Sequence, residues 1–105
     1  MASIGWRRIG PVGGLPPEAR PAELKRMFVL PAHRWLGLSR RMLAAAEADA
    51  VAHGITHLVL ETGFRQPAAI ALYRSSGYTD VDGHGWAEYH GQPGALALGR
   101  QLRPN

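Results

Sequence analysis

Residues 34–41 read RWLGLSRR, so a glycine and a serine stand among three arginines where an apolar periodicity begins. At a helix start the first backbone N–H groups lack intrahelical acceptors, and together with the helix dipole they form a positive pole. Acidic residues normally offset that pole, yet this stretch contains none. Its natural complement is therefore an anionic ligand, and a diphosphate suits it. Gly37 leaves the backbone bare, Ser39 is small, and Arg34 and Arg40 add donors and charge. An ordinary turn into a helix accounts for the same tripeptide equally well. The five histidines suggest no metal site. His53 and His57 have i, i+4 spacing, but Gly54 between them breaks the helix that would place both on one face. The absence of cysteine removes thiolate ligands and disulfides.

The elements that must position this stretch are legible from period and punctuation. Residues 3–9, SIGWRRI, read as a strand, and the glycine- and proline-rich segment 10–21 reads as a loop. AELKRMFVL (22–30) alternates and then becomes apolar, as a strand entering a core does, and Pro31 stops it. From Gly37 to His53, Leu38, Met42, Leu43, Ala46 and Ala50 recur at helical spacing, and Gly54 suits the left-handed position after a helix. ITHLVLET (55–62) reads as a strand with Ile55, Leu58 and Leu60 buried. A second helix opens at Pro67 and closes at Gly77. A turn at DVDGHG, WAEYHG as a strand, a turn at QPG and ALALGRQL as a final strand complete the chain. The predicted class is α/β with a mixed sheet, ordered β-β-α-β-α-β-β. The two strands joined across the first helix should be parallel with a right-handed crossover, and the last two antiparallel.

Length and composition limit what this fold can serve. With 105 residues, 46% hydrophobic and 19% charged, the chain supports one domain with a modest core. No apolar run approaches the roughly 18 residues of a membrane span, and the first ten residues lack the apolar core of a signal peptide, so a cytoplasmic protein without membrane attachment is expected. The net charge of +4 is carried almost wholly by arginine, Lys25 being the only lysine. Few aromatic residues are interleaved with these arginines, which disfavours a nucleic-acid surface built on base stacking.

Taken together and in order, AELKRMFVLPAHRWLGLSRRML, HGITHLVLETG and PAAIALYRSSGY resemble the acetyl-coenzyme A binding core of the GCN5-related N-acetyltransferases (GNAT) over residues 22–78. The family's diphosphate signature maps onto Arg34, Gly37 and Ser39. It differs in ending on serine and in carrying Trp35 where many members have glycine. The resemblance implies a cofactor-binding set of Met27, Phe28, Val29, Arg34, Trp35, Leu36, Gly37, Leu38, Ser39 and Arg40. Backbone groups near Met27–Val29 would bond the pantetheine arm like an added strand. It also implies acetyl-coenzyme A as co-substrate, no metal, and direct attack by a primary amine on the thioester. Tyr73 matches the tyrosine that commonly protonates the departing thiolate, and a phenol with pKa about 10 is matched to that task once desolvated. A buried structural tyrosine is the alternative. Glu23 matches the acidic residue that some members use as base, often through a water, with Glu61 second; pairing with an arginine is the alternative for either.

The family fold usually carries a strand, two helices and a further strand before the segment that begins here with SIGWRRI. Those elements shape the acceptor pocket, so residues 1–21 and 79–94 are expected to line what remains. A second copy is expected to cover the exposed edge of the first strand or the uncovered sheet face, giving a homodimer. The alternative function is an inert coenzyme A binding or protein-interaction module.

Overall fold

The computed structural model describes residues 4–26, 36–63 and 67–103. The elements follow as β1 (Ile4–Arg8), β2 (Pro21–Arg26), α1 (Leu36–Ala52), β3 (His57–Gly63), α2 (Pro67–Ser75), β4 (Thr79–Asp80) and β5 (Ala95–Gln101). All described strands join one mixed sheet in the order β1-β2-β3-β5-β4. β2 and β3 are parallel, whereas the β1–β2, β3–β5 and β4–β5 pairs are antiparallel.

This topology dictates where the helices lie. The crossovers from β2 to β3 and from β3 to β4 step the same way across the sheet, so a common right-handedness puts both helices on one face. The core agrees. Leu43, Ala46 and Ala50 of α1 and Ala69 and Tyr73 of α2 pack with Ala22, Leu24, Leu58, Leu60 and Leu98 in a single cluster. The two-residue period of β2 sends Ala22 and Leu24 into that cluster and leaves Glu23 and Lys25 on the opposite face. Central β3 is buried on both faces, with Leu58 and Val59 both fully enclosed. On the face away from the helices, Val59 packs across Gly99, where an added Cβ would lie 2.8 Å from Val81 Cγ1 and 3.1 Å from Val59 Cγ1.

Both helices end as their glycines foretell. Gly54 has φ 82° and Gly77 has φ 97°. In α1 the Ile55 amide donates to Ala50 O and the Gly54 amide to Val51 O, each at 3.0 Å. In α2 the Tyr78 amide donates to Tyr73 O at 3.0 Å and the Gly77 amide to Arg74 O at 3.1 Å. This is the Schellman arrangement, in which an apolar contact between the residue after the glycine and the last helical turn accompanies the paired hydrogen bonds. Here that contact is the edge-to-face packing of Tyr78 on Tyr73.

One expected strand is not formed. Residues 86–91, WAEYHG, run through successive turns, and β4 is the two-residue segment Thr79–Asp80 instead. Within the segment Gly91 has positive φ, which ladder geometry does not accommodate, and Gly85 and Gly94 turn the chain on either side. Local bonds such as Ala87 N–H to Gly83 O at 2.9 Å close the turns. Of the expected strand 22–30, the described portion ends at Arg26; Met27–Leu30 lie outside the described residues.

Candidate active site

β2 and β3 pair only over Pro21–Glu23 and His57–Val59, although β2 runs on to Arg26 and β3 to Gly63. Beyond Glu23, β2 keeps its partner on the β1 side and β3 keeps its partner on the β5 side. The gap between them opens into a cleft of about 550 Å³, walled by Glu23–Lys25, Leu60–Gly63, Tyr73 and the 88–95 turn. Leu24, Leu60, Thr62 and Tyr73 belong to the helix face, while Glu23, Lys25 and Glu61 belong to the opposite face. The cleft is thus a slot lined from both sides of the sheet, and it joins the two residues assigned the chemistry, Glu23 and Tyr73.

Each is held from elsewhere in the fold. Register sets Arg7 of β1 directly across from Glu23. Arg7 Nε and Nη2 donate to Glu23 Oε1 at 3.2 and 2.8 Å, and Lys25 Nζ lies 3.2 Å from Oε2. The Glu23 side chain is only 4% exposed, so these ion pairs compensate its burial. Tyr73 is almost fully buried. Its ring abuts Tyr78, whose hydroxyl donates to Glu47 Oε2 at 2.8 Å; Glu47 in turn takes two 3.0 Å bonds from Arg100 Nη1. Burial, the Glu47 charge and the hydrogen bond to it push the Tyr78 pKa well above its ordinary value. Glu61 also faces the cleft and accepts from the Tyr89 amide at 2.8 Å.

The expected phosphate cradle falls at the start of α1. Leu36, Gly37, Leu38 and Ser39 are its first four residues, and no acidic residue lies in its first turn. Their N–H groups are those a helix leaves without intrahelical acceptors. Arg40 is exposed and donates from Nη2 to Ser75 Oγ at 3.0 Å, linking α1 to the end of α2. Met27, Phe28, Val29, Arg34 and Trp35 lie outside the described residues. Of the segments expected to line an acceptor pocket, Glu88, Tyr89 and Gln92–Gly94 line this cleft, and within 1–21 Arg7 pairs with Glu23 at its wall. Sequence reasoning did not single out Thr62 or Glu88, which also line the cleft. The alternation along HLVLET carried the signal for Thr62, as the next inward position after Leu58 and Leu60.

Among the described residues no group of three or more His, Asp or Glu side chains could hold a metal ion. An acyl thioester with an extended amide-bearing arm suits the slot better. Among the described residues, the edge of β2 beyond Glu23 has no strand partner on the β3 side, so its backbone can be bonded by an extended ligand, and apolar Leu24 and Leu60 flank the space.

Comparison with known proteins gives the family. The model of the Acetyltransferase (GNAT) family matches residues 3–78. The IAA acetyltransferase of Azospirillum brasilense is 43% identical over 79 residues, which is 70% of this chain and 52% of that protein. The N-acetyltransferase 8 of Rattus norvegicus is 32% identical over 83 residues, covering 74% of this chain and 37% of that protein. A crystal structure from Klebsiella pneumoniae, of a protein assigned as an acyl-CoA N-acyltransferase, superposes with TM-score 0.67 at 37% identity, covering 85% of this chain and 59% of that one. The chain belongs to the GNAT acetyltransferase family. It spans about half the length of the relatives it matches.

Proposed function

We propose that this protein transfers an acetyl group from acetyl-coenzyme A to a primary amine by direct attack. The observation that carries the reading is the parting of β2 from β3 beyond Glu23 and Val59, with Glu23 and Tyr73 reaching the resulting slot from opposite faces. The donor's diphosphate rests on the N–H groups of Leu36–Ser39, with Arg34 and Arg40 supplying charge, and its arm follows the backbone of β2 through Met27–Val29. The amine approaches from the face of Glu23 and Glu61. Its nitrogen lone pair forms the C–N bond as the C–S bond breaks. Tyr73 protonates the departing sulfur, and Glu23 takes the amine proton through a water. Holding amine and thioester at bonding distance supplies much of the acceleration.

Release of free thiol from acetyl-coenzyme A across a panel of amines tests this. Amine-dependent release supports it, and tight binding of the donor without release for any amine favours an inert coenzyme A binding module. One observation speaks for that second reading: Arg7 and Lys25 already occupy both oxygens of Glu23. Gly37→Glu, which sets bulk and negative charge at the cradle, should abolish donor binding under either reading. The outer edge of β1 ends the described sheet, and the proposal includes its pairing with a second copy; sedimentation as a monomer at micromolar concentration would remove that part.

A further inference from the structure

Thr62 is the one described residue with a buried side-chain polar atom that no hydrogen bond satisfies. It is 8% exposed, and it lines the slot on the face that also holds Leu24, Leu60 and Tyr73. Its backbone is fixed by pairing with Leu96 of β5, so the side chain cannot leave that face without breaking the ladder. A strand has no need of a hydroxyl here. Valine has nearly the same shape, favours strands equally, and would remove the desolvation cost of an unpaired O–H between apolar neighbours. Buried polar groups are almost always paired, and an unpaired one calls for a specific explanation.

We infer that Thr62 is a donor-binding residue: its Oγ1–H donates to a carbonyl oxygen of the amide-bearing arm of coenzyme A when that arm lies between β2 and β3. This rests on the proposed donor and assigns a further residue to its site. The arm brings amide groups out of water into the slot, and each needs a partner there. β2 offers backbone groups from one wall, and Thr62 offers a hydroxyl from the other.

Calorimetric binding of coenzyme A itself, without an acyl group, provides the test. Thr62→Val should weaken binding about three- to ten-fold, the worth of one net hydrogen bond. The melting temperature of the unliganded variant should stay unchanged or rise, because the unpaired hydroxyl is gone. Thr62→Ser should restore the affinity. A merely structural hydroxyl predicts the reverse, a lowered melting temperature with binding intact. Thr62→Val binding coenzyme A as tightly as the wild type overturns the inference. Should valine prevent folding, Thr62→Ala measured against Thr62→Ser makes the same comparison. Failure of the wild type to bind coenzyme A at millimolar concentration would overturn the proposed donor itself, whereas wild-type binding with an indifferent Thr62→Val overturns this assignment alone.

Discussion

The two ends of the β2–β3 pair make an instructive contrast. At one end Pro21–Glu23 face His57–Val59 in register, and Ala22, Leu58 and Val59 are fully buried. At the other end the same strands part, and the side chains that face the gap are a doubly paired carboxylate, a buried tyrosine and an unsatisfied threonine. The zipped end is ordinary hydrophobic packing and ladder hydrogen bonding. The open end gives up those bonds and, among the described residues, leaves the β2 edge beyond Glu23 and the Thr62 hydroxyl without a partner. Local stability and binding capacity are thus separated along a single pair of strands, with Glu23 at the junction.

Substitutions at the two ends should separate accordingly. The largest effect is expected at the open end: Tyr73→Phe should slow thiol release by at least about 10²-fold while leaving coenzyme A affinity intact, as loss of a general acid does. Unchanged turnover would remove Tyr73 as the acid. At the zipped end, Leu58→Ala should cost about 2–5 kcal/mol of stability through the cavity it leaves, seen as an earlier denaturant midpoint. Glu23→Gln tests the junction. As a base, Glu23 should take with it the acidic limb of the rate–pH profile with little loss of melting temperature; if only melting changes, its role is confined to the pairing with Arg7.

Smaller effects follow from buried titratable groups on the zipped side. Tyr78 holds its proton more tightly folded than unfolded. Above pH 10.0, its ordinary value, the unfolded chain ionises while the folded one does not, so stability falls as pH rises. Tyr78→Phe should flatten that alkaline decline. Burial lowers the pKa of His57 from 6.5. Below that pH the unfolded chain takes up a proton that the folded chain resists, so stability falls as pH drops, by at most about 1.4 kcal/mol per pH unit. The local network fits a neutral ring. Thr56 Oγ1 accepts from the Arg20 amide at 2.8 Å and also shares a hydrogen bond with His57 Nδ1 at 2.8 Å, which in the neutral ring can accept the hydroxyl proton. His57→Gln should reduce the acid sensitivity measured by denaturant titration.

Much of this was legible because the signals are local. Gly54 and Gly77 marked both helix ends, since only a residue free to take positive φ completes those caps. Alternation in HLVLET placed Leu58 and Leu60 inward. The reading failed at WAEYHG, read as a closing strand, where local bonds such as Ala87 N–H to Gly83 O and the positive φ of Gly91 turn the chain instead. It also stopped short of Thr62, whose hydroxyl is notable only because tertiary contacts bury it and offer no partner.

By itself the sequence determined the order of elements, the helix termini, the parallel pairing of the two strands joined across α1, and the run of N–H groups at the start of α1. These depend on period, φ and chain direction, which neighbours along the chain define. Only the tertiary structure decided that β2 and β3 separate after three residues, that Arg7 is set against Glu23, and that Tyr73 is braced by Tyr78, Glu47 and Arg100. Apart from the local contact of Tyr73 with Tyr78, those outcomes depend on register and packing between residues 16 to 53 positions apart, which no local pattern encodes.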